Sequence, residues 1–329
     1  MHLPGFGDLS WRSARPPSES MSDSQGMLLK SVYRVKLKEI SLGRAVSGAR
    51  FAILIGLTLP VFWAPLSRLI RFSFQQAHYS HIILVPLVSA FLFFLERKRI
   101  LSHAETQWRA GLGLLAAGAL FYSLGQRHSA LASENDQLSI AMSALVILWV
   151  GGFVLCYGFR ALRMGLFPLL FLFLMVPIPD SVLNHAIVWL QTGSAEVSHA
   201  TFDLVGVPVF RSGFTFSLPG FTIEIAEECS GIRSSLALLI TSLLAAHLCL
   251  RSVWAKTVLI LATLPLLIVK NGIRIVTLSL LSMYVDPGFL TGRLHHQGGI
   301  VFFLLALLLL ASLLWLLQKP EGHTRMSRP

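Results

Sequence analysis

Eight stretches of predominantly apolar residues recur along this 329-residue chain. A helix needs about 20 such residues to cross a lipid bilayer. The stretches span residues 51–70, 79–95, 110–124, 138–157, 164–176, 230–250, 253–281 and 298–317. Only 13% of all residues are charged, about half the share with which a soluble domain covers its surface. The sequence therefore predicts an all-α polytopic membrane protein with about eight transmembrane helices.

Lysine and arginine form short clusters between these stretches, and the clusters indicate the orientation of the chain. Cytoplasmic loops of membrane proteins are enriched in both residues. With eight spans, all clusters fall on the side of the basic amino terminus; they comprise residues 97–99, 160 and 163, 251 and 256, and 319, 325 and 328. We expect a multi-pass protein of the bacterial inner membrane with both termini in the cytoplasm. The lysine and arginine residues of these cytoplasmic clusters account for the net charge of +11. We therefore expect no nucleic acid partner.

The predicted orientation divides the chain into three parts. Residues 1–48 form a basic cytoplasmic tail, partly disordered, that lacks the apolar core of a cleavable signal peptide. Residues 49–318 form the transmembrane domain, and residues 319–329 form a second cytoplasmic tail. Within the domain, residues 178–228 form an extracytoplasmic insert. Its first half mixes apolar and polar residues, which predicts a short helix at the interface or re-entering the bundle. Its second half contains FTFSL and FTIEI between prolines and glycines, which predicts two or three short strands that form a β-hairpin.

Reactive polar side chains lie near the outer ends of the last three predicted spans. Cys229 opens the sixth span, and His295 and His296 directly precede the eighth. Arg274 lies about 30 Å along the seventh span at a rise of 1.5 Å per residue. Ionisable residues within membrane helices are costly and usually functional. The predicted topology thus brings a thiol, a guanidinium and an imidazole to one depth on the outer side.

These three groups suit acyl transfer. The imidazole can take the proton of the thiol, and the resulting thiolate can attack a peptide carbonyl. The guanidinium fork suits the oxyanion of the tetrahedral intermediate, and a helix amino terminus at Cys229 would stabilise the thiolate further. With Cys156 and Cys249, the three cysteines have neither the spacing of a disulfide framework nor that of a metal site. We expect no metal and no other cofactor.

The segments around these residues resemble the signature blocks of the exosortase and archaeosortase family. EIAEECSGIRSS is similar to its C-S-G-hydrophobic-R motif, NGIRIV to its N-x-x-R helix, and HHQGGIVFF to its H-x-x-x-G helix start. YSHIILVPLVSAFLFFLERKR and LFLMVPIPD resemble its second and fifth helices, although Ile82 replaces the usual glycine after His81. The similarity covers residues 50–318, nearly the whole predicted membrane part.

The resemblance implies a membrane cysteine peptidase and transpeptidase with Cys229 as the nucleophile. Arg274 takes the role of the conserved arginine and His295 that of the base, with His296 as the alternative base. The residues expected to support these groups are Asn271, Arg233, Glu228 and Gly299.

The resemblance also implies the partners. The substrate would be a secreted protein whose carboxyl-terminal sorting tail combines a proline-containing motif, one transmembrane helix and a basic end. The enzyme would cut near the outer end of that helix, surrounded by membrane lipid. A periplasmic accessory protein, where one is needed, would be a separate chain. The sequence leaves open the sorting motif, the oligomeric state, and whether water or an amine accepts the acyl group.

Two alternative functions stay open on the residues alone. A transporter or channel would line a permeation path with the same polar residues, but it would spread them through the bilayer midplane and show repeat symmetry. The chain shows no internal repeat. The second alternative is a noncatalytic scaffold for envelope-polysaccharide assembly, which the motifs do not separate from an enzyme.

Overall fold

The computed structural model describes residues 45–76, 79–102, 104–127, 132–226, 231–289 and 299–323. In chain order the helices are α1 (Ala45–Val61), α2 (Trp63–Gln75), α3 (Leu84–Leu101), α4 (Trp108–Arg127), α5 (Glu134–Met164), α6 (Leu166–Phe171), α7 (Asp180–Leu204), α8 (Ile232–Cys249), α9 (Val253–Tyr284) and α10 (Gly299–His323). Short 3-10 helices cover Leu172–Met175 and Pro287–Phe289. The strands, all between α7 and α8, are β1 (Phe210–Ser212), β2 (Thr215–Leu218) and β3 (Phe221–Glu224).

Four of the described helices, α5, α8, α9 and α10, are long and apolar enough to cross a membrane. Two pairs qualify only when each is taken as one bent span: α1 with α2, which meet at 76°, and α6 with α7, which meet at 90°. The predicted all-α polytopic membrane fold is confirmed. The predicted count of eight spans is not confirmed, because the described helices supply four spans, or six with the bent pairs. Helix α3 has four consecutive charged residues, 96–99, in its last two turns, which shortens its apolar part.

Helix α5 forms the centre of the bundle. Of its most apolar 18-residue window, 61% is buried, against 11% for α10. Met142, Leu145 and Phe153 of α5 are completely buried. The described residues therefore leave most of the apolar surface of α10 uncovered, whereas they cover α5 on most sides.

Helix α4 packs against α5 through glycines. A β-carbon on Gly111 would lie 2.3 Å from the β-carbon of Leu155, and one on Gly125 would lie 2.2 Å from Ile140 Cγ2. Membrane helices have no hydrophobic effect to drive them together, so small residues that allow close van der Waals contact are favoured at their interfaces. These two glycines allow the backbone of α4 to approach α5.

A polar network stabilises the break between α6 and α7. The side chains of Tyr79 and Asn135 both donate hydrogen bonds to the Ile178 carbonyl, at 3.2 and 2.7 Å. Asn135 also donates to Asp180 Oδ1 at 2.6 Å, and Ser139 donates to the Pro177 carbonyl at 2.7 Å. Unwound backbone at membrane depth is tolerated where neighbouring groups satisfy its carbonyls. The prolines of this segment break the helix, and α5 supplies most of the replacement donors.

Two of the basic clusters meet at one end of the bundle. Arg160, near the end of α5, pairs with Glu105 at 3.0 Å just before α4, and Arg99 at the end of α3 donates to the Met164 carbonyl. His247, near the end of α8, contacts Glu96 at 2.5 Å. The cytoplasmic placement of this end stays a prediction.

The insert contains a helix followed by short strands. Its helix, α7, has 25 residues and is longer than the short helix expected. Its strands number three, within the predicted two or three, and form an antiparallel sheet in the order β1-β2-β3. Strand β1 pairs Ser212 with Thr215 of β2 across a two-residue turn that begins at Gly213, whose φ is 62°. Phe216 of β2 is buried against Phe202 of α7. The sheet therefore rests on α7, the helix that precedes it.

Candidate functional site

Four of the eight predicted site residues lie within the described part of the chain. Asn271 and Arg274 belong to α9, Arg233 belongs to α8, and Gly299 begins α10. The residues outside the described ranges are Cys229, His295, His296 and Glu228. The geometry of the site is therefore given by the elements that flank the predicted nucleophile and base.

Gly231 directly precedes α8 and follows Cys229 by two positions. Its φ of 74° lies in the left-handed region, which strongly favours glycine. A β-carbon at this position would lie 2.9 Å from Asn271 Oδ1 and 3.5 Å from Lys270 Nζ. The start of α8 is thus in close contact with the turn of α9 that carries the N-x-x-R block.

Lys270 brings a buried positive charge to this contact. Its side chain is 7% exposed, and its Nζ donates a hydrogen bond to Ser234 Oγ at 2.5 Å. The Ser234 hydroxyl donates in turn to the Gly231 carbonyl at 3.0 Å. Arg274 is half-buried, and its spacing of four residues from Lys270 places both cations on one face of α9. Two positive charges next to a helix amino terminus favour an anionic group at this place.

Helix α7 holds this turn of α9 in position. Asn271 is 1% exposed, and its Nδ2 donates to Ser194 Oγ at 3.0 Å. One residue further along α9, the Gly272 carbonyl accepts a hydrogen bond from Ser198 Oγ at 3.3 Å. A β-carbon on Gly272 would lie 2.6 Å from Val197 Cγ1, so the two helices are in close contact here. These contacts hold Asn271 in place, and its supporting role stays a prediction.

Helix α7 also holds the chain that leads to Cys229. The buried side chain of Gln191 donates from Nε2 to the Ile225 carbonyl at 2.8 Å. Ile225 follows β3 and precedes Cys229 by four positions, whereas Gly231 follows it by two. Both ends of the short segment that carries Cys229 are therefore fixed against the pair α7–α9.

The starts of α8 and α10 lie toward the same end of the bundle. The end of α8 is at the basic end, where His247 contacts Glu96. Gln318 of α10 donates to the Cys249 carbonyl at that same end, and Gly299 lies about 28 Å earlier along α10 at the helical rise. In the sequence, the segments that directly precede α8 and α10 contain the predicted nucleophile and base. The two helices that follow them both start at the end opposite to the contact between His247 and Glu96.

The other described candidates make fewer contacts. The Arg233 side chain is exposed and takes part in none of the ion pairs among the described residues. A β-carbon on Gly299 would meet nothing within 4 Å of the described atoms. Within the described ranges, no group of three or more His, Cys, Asp and Glu side chains could hold a metal ion.

Lys270 and Ser234 were not among the site residues predicted from the sequence. Lys270 stands within the apolar run LLIVKNGIRIV, and an ionisable residue inside a membrane helix is a signal of function on its own. Ser234 gave no signal, because its role depends on a contact with another helix.

Comparison with known proteins places the chain in one family. Residues 73–312 match the family model described as transmembrane exosortase. The match runs from the end of α2 into α10 and includes all eight predicted site residues. No curated protein and no solved structure matches the chain.

Proposed function

Because this chain belongs to the transmembrane exosortase family, we propose that it is a membrane cysteine peptidase and transpeptidase. Its substrates are secreted proteins with a carboxyl-terminal sorting tail, which it cuts near the outer end of the transmembrane helix of that tail. The family match favours this function over a transporter or channel. The contact between Gly231 and Asn271 carries the proposal, because it joins the C-S-G block to the N-x-x-R block in space.

In the proposed reaction, the Cys229 thiolate attacks the carbonyl carbon of the scissile peptide. The new sulfur–carbon bond pushes an electron pair onto the carbonyl oxygen, and the Arg274 guanidinium stabilises the resulting oxyanion. The carbon–nitrogen bond then breaks, and the imidazolium of His295 or His296, which holds the proton taken from the thiol, gives that proton to the leaving amine. A thioester remains on Cys229. Water or an acceptor amine resolves it by attacking the same carbon and giving a proton to the neutral imidazole, and the thiolate is released.

Three supporting roles follow from the described contacts. Asn271 holds the turn of α9 against α7 and against Gly231, and thereby positions Arg274. The amino terminus of α8 contributes its dipole to the anionic nucleophile. Gln191 fixes the segment that enters the site by its hydrogen bond to the Ile225 carbonyl.

The test is processing of a tail-bearing secreted protein from the same genome, co-expressed with the chain. Cys229→Ala should abolish the shortened product while the amount of membrane-inserted enzyme stays the same. Cys156→Ala is the matched control, because that thiol is buried within α5 and has no part in the reaction. Normal processing by the Cys229→Ala variant would refute the proposal.

A further inference from the structure

Strand β3 forms a free edge of the sheet in the insert. The strand order is β1-β2-β3, so β2 is the only described strand that pairs with β3. Natural sheets blunt such edges with proline, lysine or a bulge, because unpaired main-chain groups recruit another strand. The four residues Phe221–Glu224 include neither proline nor lysine, and their register with β2 is continuous. Strand β3 therefore keeps an edge to which another strand can pair.

The hydrogen bonds of the sheet show which main-chain groups of β3 point away from β2. In an antiparallel pair, residues that exchange hydrogen bonds with the partner strand alternate with residues that do not. The Ile225 amide donates to the Phe214 carbonyl at 3.0 Å, so the residues two and four positions before Ile225 also bond to β2. Thr222 and Glu224 thus direct their N–H and C=O groups to the free edge. Within the described ranges, no hydrogen bond of either residue is found outside the pairing with β2.

The opposite edge of the sheet, formed by the three residues of β1, offers less. Because Phe214 bonds to β3, the next residue of β2, Thr215, bonds to β1, and its partner Ser212 points inward. By the same alternation, Arg211 is the one residue of β1 that points outward, and its side chain pairs with Glu196 of α7 at 3.0 Å. In contrast, β3 offers two outward residues with the two-residue spacing of an extended chain.

The free edge lies beside the part of α9 that carries Arg274. Phe221 and Ile223, on the inner face of β3, pack in one apolar cluster with Ile275, the residue that directly follows Arg274. Both side chains of β3 are only half-buried, whereas Phe216 of the central strand is completely buried. A further strand on this edge would cover the apolar surface that β3 leaves exposed next to the candidate site.

We propose that the free edge of β3 binds the substrate as an added β-strand. The occupant is the extended segment of a tail-bearing secreted protein that directly precedes its transmembrane helix. The inference rests on the proposed function and adds how the peptide is held. Main-chain hydrogen bonds to Thr222 and Glu224 give affinity, and alternate side chains of the added strand give selectivity. Side chains next to Phe221 and Ile223 are apolar, and a basic side chain is favoured next to Glu224.

The first experiment removes one main-chain donor from the edge and leaves the hydrogen bonds between β2 and β3 in place. Thr222→Pro deletes the outward N–H and puts its ring where the substrate strand would lie. Thr222→Val keeps the N–H and changes only the side chain. We expect Thr222→Pro to shorten the co-expressed tail-bearing protein at least about tenfold more slowly than Thr222→Val does, because a substrate carbonyl loses its partner. Equal rates in two variants with the same unfolding curve would overturn the inference.

The second experiment needs no proline and maps the pairing directly. All three native cysteines are replaced by alanine, which also keeps the substrate uncut. Thr222→Cys is then oxidised in membranes together with substrate variants that carry one cysteine at each successive position before the transmembrane helix. We expect disulfides at alternate substrate positions, because side chains on one face of a strand repeat every two residues. Ile223→Cys, on the opposite face of β3, should select the intervening positions.

Ser217→Cys is the matched control for the cross-link. Ser217 is the cross-strand partner of Thr222 on β2, so it lies two strand spacings, about 9.5 Å, from an added strand. A disulfide spans α-carbons within about 7 Å, and Ser217→Cys should therefore form none with the substrate.

Two results of the cross-linking would overturn the inference. One is the absence of disulfides from Thr222→Cys to the substrate, or their appearance at consecutive positions. The other is a disulfide between two Thr222→Cys chains in place of the substrate, which would assign the edge to a second copy of this protein. Neither result touches the proposed function, which fails only if Cys229→Ala still processes its substrate.

Discussion

Substitution of Gly231 tests the contact between α8 and α9 on which the site depends. A Gly231→Ala variant has two separate costs. An alanine held at a φ of 74° loses about 1–2 kcal/mol relative to a right-handed conformation. Its β-carbon would also lie 2.9 Å from Asn271 Oδ1, and overpacking of this kind costs about 1–3 kcal/mol. We therefore expect Gly231→Ala to lower the free energy of unfolding by about 2–5 kcal/mol.

Gly206 provides a matched control for the backbone part of this cost. Its φ is 72°, and a β-carbon there would meet nothing within 4 Å. Gly206→Ala should therefore cost only the conformational part, about 1–2 kcal/mol. The difference between the two variants isolates the steric contact with α9.

A double-mutant cycle then tests whether Asn271 is the residue that the methyl group introduced by Gly231→Ala would meet. Asn271→Ala removes the side-chain atoms that the new methyl group would meet, so in that background Gly231→Ala should cost no more than Gly206→Ala does. The coupling between the two positions should be about 1–3 kcal/mol. The assay is equilibrium unfolding in mixed micelles with increasing fractions of sodium dodecyl sulfate. Equal costs for Gly231→Ala and Gly206→Ala, together with zero coupling, would refute the packing of α8 on α9.

Three further predictions concern other parts of the molecule. Asn135→Leu removes the hydrogen-bond donors to Ile178 and Asp180. It should lower the free energy of unfolding by about 2–3 kcal/mol in the same assay. An unchanged free energy would show that the break before α7 is stable without these two hydrogen bonds. Gly111→Ala should destabilise the fold by at least about 1 kcal/mol. Gly113→Ala is the control and should not, because no atom lies within 4 Å of its β-carbon position. Equal effects of the two substitutions would contradict the close packing of α4 on α5. Arg274→Lys should lower substrate processing at least about tenfold, because it keeps the charge but loses the fork of hydrogen-bond donors. Full activity of this variant would show that the oxyanion does not need two donors from one guanidinium group.

The long apolar helices were predictable because hydrophobicity is a property of the local sequence. The predicted stretch 253–281 lies within α9, and the predicted start of α8 differs from the observed start by two residues. The bends were not predictable in the same way. A hydropathy pattern does not say whether an apolar stretch continues straight, and the 76° bend near Phe62 divides the stretch predicted as the first span.

The insert shows a second limit of prediction from sequence. Strand β1 has only three residues, too few for the alternation that marks a strand, and it forms because β2 offers its free edge. At the site, the sequence motifs identified Asn271 and Arg274. Lys270 is recognised only from the structure, where its Nζ lies 2.5 Å from Ser234 Oγ of another helix. Contacts between helices depend on tertiary packing and leave no local pattern.

The most direct test of the active centre is a disulfide cross-link between the predicted nucleophile and the predicted base. Two cysteines form a disulfide only when their α-carbons come within about 7 Å. In the chain that keeps Cys229 as its single thiol, mild oxidation after His295→Cys or His296→Cys should join the two segments, and the same oxidation after Lys256→Cys should not. Absence of a cross-link at both histidine positions in correctly inserted protein would contradict the assembly of one site from the starts of α8 and α10.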